Sequence, residues 1–158
     1  IMRYIFDLDH TVIDSSHRQL TKADGSLDLD HWIANNTREK IMGDSLLPLA
    51  DQWRKAQAKG AEIVICTARV IGPHDLEFLA RHGLRYNALL ARQAGQSTPD
   101  DLLKWALLRN YARTIGKSWR NFCAFSIMFD DNKNVIQGLT SRGLRVYNAI
   151  SINERLSA

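Results

Sequence analysis

Five short apolar runs, at 3–8, 61–67, 86–90, 122–129 and 144–148, read as β-strands, and the stretches between them carry the wider spacing of helices. The segment 48–59 opens on Pro48, places Leu49, Trp53 and Ala56 at steps of four and three, and meets Gly60 just past its end. The segments 73–82, 99–115 and 132–142 follow the same grammar, closing at Gly83, Gly116 and Gly143. Strands that are nearly continuous apolar runs, each separated from the next by a helix, predict a parallel sheet of about five strands covered on both faces. The expected fold class is α/β, a doubly wound, Rossmann-like sheet. Ligands of such sheets sit beyond the carboxyl ends of the strands, so the residues just after each run are where chemistry is expected.

The 158 residues suit one domain spanning 1–158, and 45% hydrophobic with 24% charged residues excludes disordered, collagen-like and disulfide-scaffold classes. The opening apolar run meets Asp7 too early for a signal-peptide core or a bilayer span, which predicts a cytoplasmic protein. Cys66 and Cys123 lie in runs read as interior strands and are expected as buried free thiols. The five histidines are scattered, without zinc-binding spacing. A net charge of +4, with Lys and Arg spread along the chain, suits an anionic substrate and argues against strong sequence-specific binding of duplex DNA.

The strand ends carry the chemistry. After the first run come Asp7, Asp9 and Thr11, with the two carboxylates on one side of an extended segment. Thr67 and Arg69 follow the second run, Asp100, Asp101 and Lys104 follow the third, and Asp130 and Asp131 follow the fourth. Each alone has an ordinary explanation as a turn, a cap or a helix-dipole partner. Together they crowd acids into one crevice, where like charges repel unless a cation offsets them. An all-oxygen donor set favours Mg²⁺ over zinc. Thr67 and Lys104 supply donors for a phosphate, and an aspartate can attack phosphorus.

In this order the motifs resemble those of the haloacid dehalogenase superfamily: an Asp-x-Asp-x-Thr run, a hydroxyl after the second strand, a lysine early in a later helix and paired acids after the fourth strand. The resemblance implies that Asp7 is the nucleophile, Asp9 the general acid and base, Thr67 and Lys104 the holders of the phosphoryl group, and Asp130 and Asp131 the completion of a Mg²⁺ site with Asp7 and Asp9. The sequence is also similar to the phosphatase half of bacteriophage polynucleotide kinase/phosphatases, through Arg18, Arg69 and Asp100. That similarity implies forks from Arg18 and Arg69 onto substrate phosphate, with Asp100 orienting Lys104 or an arginine. Thr11 and His10 join them as candidate substrate contacts, His10 standing where the group often has glycine. No Gly-x-x-x-x-Gly-Lys-[Ser/Thr] loop is present, so no kinase half lies in this chain.

Residues 12–46 are too few for a large helical cap and are expected to form a small cap or loop insertion beside an open crevice. Trp32 within it is expected to pack a short helix rather than stack on a base. The resulting expectation is a Mg²⁺-dependent phosphomonoesterase acting through an aspartyl-phosphate, with a nucleotide or nucleic-acid 3′-phosphate as the favoured substrate. A phosphatase of 5′-nucleotides or of another small metabolite is the rival. A phosphoryl-accepting receiver domain is the alternative from another class, disfavoured because receivers lack an acid two residues after the phosphorylated one.

Overall fold

A computed structural model describes all 158 residues. In chain order the elements are β1 (Arg3–Phe6), β2 (Ile13–Asp14), α1 (Leu29–Ala34), α2 (Arg38–Met42), β3 (Ser45–Leu46), α3 (Leu49–Ala58), β4 (Glu62–Thr67) and α4 (Pro73–Arg81). They continue with β5 (Ala88–Ala91), α5 (Asp100–Thr114), α6 (Trp119–Ala124), β6 (Ser126–Asp130), α7 (Lys133–Thr140), β7 (Arg145–Asn148) and α8 (Ala149–Ser157). Five strands form one parallel sheet in the order β5-β4-β1-β6-β7, with β1 at its centre. The expected α/β, doubly wound architecture is therefore the one observed.

Both sheet faces are covered because the strands are apolar on both sides. On one face Phe6, Ile63 and Ile65 pack with Leu49 and Trp53 of α3, Phe78 and Leu79 of α4 and Ala149 of α8. On the other, Ile5, Val64 and Met128 pack with Leu108 and Ala112 of α5, Phe122 of α6 and Val135 and Leu139 of α7. Trp53 is fully buried, and its indole N–H donates to the Arg85 carbonyl at 2.8 Å, so its one polar atom is satisfied. Arg3 is also buried, held by Glu62 and Ser126 with its guanidinium over the Phe122 ring. No helix is long and apolar enough to cross a membrane.

One expected strand needs correction. The run 122–129 is not a strand throughout: Phe122 and Cys123 belong to α6, and β6 begins only at Ser126. Ser118 caps α6 by accepting from the Asn121 N–H at 3.1 Å, and a short apolar run lacks the length to separate a buried helix turn from a strand. Cys123 is therefore a helix residue, although it and Cys66 are the buried free thiols expected. Likewise β1 ends at Phe6 rather than at residue 8, and the chain turns after Asp7, the Leu8 carbonyl accepting from the Thr11, Val12 and Ile13 N–H groups. The segment 12–46 holds the two-stranded pair β2-β3, a 3-10 turn at Ser16–Arg18, and the short helices α1 and α2. The short helix expected around Trp32 is α1, while α2 lies outside the expected elements. Their starts are set by side-chain caps, Asp28 accepting from the His31 N–H and Thr37 from the Lys40 N–H.

Candidate active site

Asp7 lies just beyond the central strand, where its backbone N–H still bonds the Phe129 carbonyl at 3.1 Å. The residue is 5% exposed, and its carboxylate is held from two sides. The Thr11 hydroxyl donates to Oδ2 at 2.9 Å, and Lys104 Nζ donates to Oδ1 at 2.9 Å. The same ammonium donates to Asp130 Oδ2 at 2.7 Å, while Asp130 Oδ1 accepts from the Asn132 N–H at 2.9 Å. Lys104 comes from the second turn of α5 and Asp130 from the end of β6, so three separate elements meet at one ammonium.

Asp131 completes the cluster. One ligand oxygen from each of Asp7, Asp130 and Asp131 lies within 4.8 Å of the others. Burial raises the Asp130 carboxyl above the ordinary range, and the Asp7 charge adds to this against the pull of Lys104. Burial likewise raises Asp131, with Asp7 and Asp130 adding to it. Burial alone would lower Lys104, but the Asp7 and Asp130 charges outweigh it and raise the group. One ammonium therefore faces three carboxylates, all hard oxygen donors. That donor set fits Mg²⁺, and Asp7, Asp130 and Asp131 are the side chains that would hold it.

A second network surrounds Asp9. The Arg69 guanidinium grips both Asp9 oxygens, and the Ser15 hydroxyl donates to Oδ1 at 2.7 Å. Burial would raise the Asp9 carboxyl, yet the Arg69 charge and these hydrogen bonds prevail and hold it below the usual range. Arg69 also donates to Asp75, at the first turn of α4, and lies 3.9 Å from Asp44. Asp44 in turn accepts the Arg18 fork at 2.9 Å on each oxygen and contacts His17 at 2.8 Å. Trp32 of α1 lies 4.3 Å below the Arg18 guanidinium and 5.5 Å from that of Arg69.

The expected residues thus separate by role. Asp7, Thr11, Lys104, Asp130 and Asp131 converge on one carboxylate cluster. Thr11 is fully buried against Asp7, so it supports that carboxylate rather than presenting a substrate contact. Thr67 closes β4 beside the Asp7 loop, and its hydroxyl accepts from the Arg69 N–H at 3.0 Å. Arg18 does not reach toward a phosphate: it is 1% exposed, because Asp44, Asn36 and Trp32 consume its fork and its face. Asp100 holds an arginine, Arg92, at 2.9 Å, rather than Lys104. His10 bonds Gln19 at 2.9 Å and adopts the left-handed conformation, φ 63°, that glycine would take more easily. Trp32 packs as expected, but on guanidinium groups.

Asp44 and Asp75 are participants that spacing did not reveal, since each meets its arginine only through tertiary packing. Asn153 is another. From α8 its Nδ2 donates to the Thr11 carbonyl and its Oδ1 accepts from the Leu49 N–H, both at 2.9 Å, pinning the Asp7–Thr11 loop to α3. A cavity of about 600 Å³ opens beside that loop, walled by His10, Asp14, Leu47, Ile150 and Glu154.

Comparison with known proteins places this geometry. The profile of a family described as Bacteriophage T5 5'-deoxynucleotidase matches residues 2–158. A 5'-deoxynucleotidase of Escherichia phage T5 is 29% identical over 169 residues, an alignment spanning 97% of this chain and 69% of that protein. Among solved structures, a haloacid dehalogenase-like hydrolase from Streptococcus pneumoniae superposes with a TM-score of 0.64 at 12% identity, over 98% of this chain and 91% of that one. A chain from the Pnkp1/Rnl/Hen1 RNA repair complex superposes with a TM-score of 0.59 at 19% identity, over 94% of this chain. Only 42% of that repair-complex chain is spanned. These structural likenesses establish a haloacid dehalogenase-like fold.

Proposed function

The chain belongs to the Bacteriophage T5 5'-deoxynucleotidase family, and from that premise we propose that it is a Mg²⁺-dependent phosphomonoesterase releasing phosphate from 5′-deoxynucleotides. The observation that supports the reading is Lys104 bridging Asp7 and Asp130, with Asp131 beside them: a carboxylate held in place within a trio of acids that could take a cation. The 3′-phosphate expected from the likeness to polynucleotide kinase/phosphatases gives way to the 5′ position, because the phage T5 relative is a 5'-deoxynucleotidase.

In this reading an Asp7 oxygen attacks phosphorus, the bond from phosphorus to the 5′ oxygen breaks, and the departing oxygen takes a proton from Asp9, which gains that proton from solvent once the substrate phosphate has drawn Arg69 away from it. Water then attacks the phosphorus of the aspartyl-phosphate, Asp9 takes the water's proton, and the bond to Asp7 breaks to release phosphate. Mg²⁺, when bound, supplies positive charge that offsets the carboxylates and the phosphoryl oxygens. Lys104 steadies the Asp7 carboxylate for attack, and Thr11 fixes its rotamer. Arg69 aims Asp9, and an incoming phosphate dianion competes for the same guanidinium fork. The cavity beside His10 offers room for the nucleoside. The short helices and strands of 12–46 act as a small cap, leaving the mouth open.

The test is a panel of phosphate-release assays, with Mg²⁺ or with chelator. It covers 5′-deoxynucleotides, 3′-nucleotides, a 3′-phosphorylated oligonucleotide and sugar phosphates. The 5′-deoxynucleotides should turn over fastest, only with Mg²⁺, and not at all in Asp7→Asn. Faster release from the 3′-phosphorylated end, or activity surviving Asp7→Asn, would overturn the proposal.

A further inference from the structure

Residues 105–153 carry seven Lys and Arg and, apart from Asp130 and Asp131 of the catalytic cluster, no Asp or Glu. The fold gathers part of that excess at the edge of the sheet opposite Asp7. Trp119 and Arg120 open α6, which runs into the first residue of β6, and Arg142 and Gly143 precede Arg145, the first residue of β7. Since all the strands are parallel, these starts lie at the end of the sheet away from the catalytic carboxylates.

Trp119, Arg120, Cys123, Arg142 and Arg145 line a hollow of about 490 Å³ there. Around the catalytic loop, Arg18, Arg69 and Lys104 are all paired with carboxylates. In the hollow none of the three arginines has a carboxylate partner, and none lies within an ion pair found elsewhere in the molecule. Arg142 is held against aromatic surface instead, 4.5 Å over the Trp105 ring, with Arg109 on the same indole at 5.7 Å. Trp105 meets Trp119 edge-on at 4.7 Å, so the cations stand on a rigid aromatic base.

We propose that this hollow is a second binding site, which takes the phosphodiester backbone of single-stranded nucleic acid without sequence preference. Guanidinium forks suit phosphate oxygens, and the half-buried Trp119 offers a wall for a base. The cations are distributed over the end of α5, α6 and the α7–β7 turn, which matches an extended polyanion better than one phosphate. A concave surface on which three guanidinium groups lack carboxylate partners suits a polyanion better than insertion into a lipid layer. Because the hollow opens away from Asp7, binding there leaves the catalytic mouth free. This site is independent of the hydrolysis proposed above.

Fluorescence anisotropy with labelled oligothymidylate tests it. Affinity should fall steeply with salt, with a logarithmic slope of about −2 for three phosphates contacted. The double variant Arg120→Gln/Arg145→Gln should weaken low-salt binding by about tenfold or more. Neither side chain makes an internal hydrogen bond, so the variant should keep the wild-type melting temperature and wild-type phosphate release. Arg120→Lys/Arg145→Lys should restore most of the binding, and Arg81→Gln/Arg155→Gln, elsewhere on the surface, should leave it unchanged. Wild-type binding by the Gln variant, competition of the oligonucleotide by a mononucleotide at the catalytic site, or binding of anionic vesicles in preference to the oligonucleotide would each overturn the proposal.

Discussion

Lys104 Nζ stands 2.9 Å from Asp7 Oδ1 in a pocket where both side chains are shielded from water, and 97 residues of chain separate the two. The pairing holds the central strand, through Asp7, to the helix on one face of the sheet. It is also the one local positive charge among Asp7, Asp130 and Asp131. Replacing Lys104 with Met leaves those carboxylates uncompensated. Without divalent cation the loss of stability should be about 3–5 kcal/mol, the usual cost of orphaning a buried ion pair. Added Mg²⁺ should recover more stability in Lys104→Met than in the wild type, because the cation then replaces a missing charge. Urea melts with Mg²⁺ and with chelator check this, and an equal Mg²⁺ effect in both proteins counts against a cation site at the cluster.

Asp9 is gripped by Arg69, and this pairing separates orientation from proton transfer. Asp9→Asn keeps hydrogen bonding near Arg69 but removes the exchangeable proton, so kcat should fall by about 10²- to 10⁴-fold with little change in KM. Arg69→Lys keeps a charge but loses the fork to Asp9 and Asp75. It should therefore lower kcat and raise KM together. Steady-state kinetics on a 5′-deoxynucleotide distinguish the two patterns, and a pure KM effect in Asp9→Asn would remove it from the chemistry.

Asp7, Lys104, Asp130 and Asp131 were legible because strand ends of a parallel sheet share one edge, so knowing the strands locates the acids. Asp44 and Asp75 were not legible for the converse reason. Asp44 lies 26 positions from Arg18, beyond both α1 and α2, and nothing in local spacing records that approach. Their effect shows most plainly at Arg18, which was expected to face substrate and has its fork taken up by Asp44 instead. The turn of α6 was lost to ambiguity, since Phe122 and Cys123 are buried whichever backbone carries them. The helices α1 and α2 are shorter than the span over which a helical period shows itself, and only their capping residues mark them.

His10 occupies a left-handed backbone position, φ 63°, between Asp9 and Thr11. A side chain there costs about 1–2 kcal/mol, while its bond to Gln19 returns roughly 1 kcal/mol. His10→Gly should then be close to neutral in urea unfolding. His10→Val, β-branched and without the hydrogen bond, should cost about 2–3 kcal/mol. If Val proves as stable as His, the loop holds a different backbone conformation in solution.

Burial pushes the Cys66 thiol up to about 12, with Lys104 opposing and Asp130 and Asp7 adding to the rise, and burial pushes Cys123 up to about 11. In the unfolded chain both thiols ionise near the ordinary value of 9.0. Above that pH the unfolded chain sheds protons that the folded protein keeps, so it binds fewer protons and stability falls as pH rises. Below it both states hold the protons and the thiols contribute no pH dependence. The decline should run from pH 9 until the folded thiols titrate, near 11 for Cys123 and 12 for Cys66. Cys66→Ala and Cys123→Ala should each flatten that slope, even though each opens a small cavity that lowers stability at every pH. Urea midpoints followed across the alkaline range measure the slope, and alkylation of the native protein at neutral pH checks the premise. A thiol that reacts at neutral pH as fast in the folded protein as in urea would show that the β4 or α6 side of the core opens to solvent.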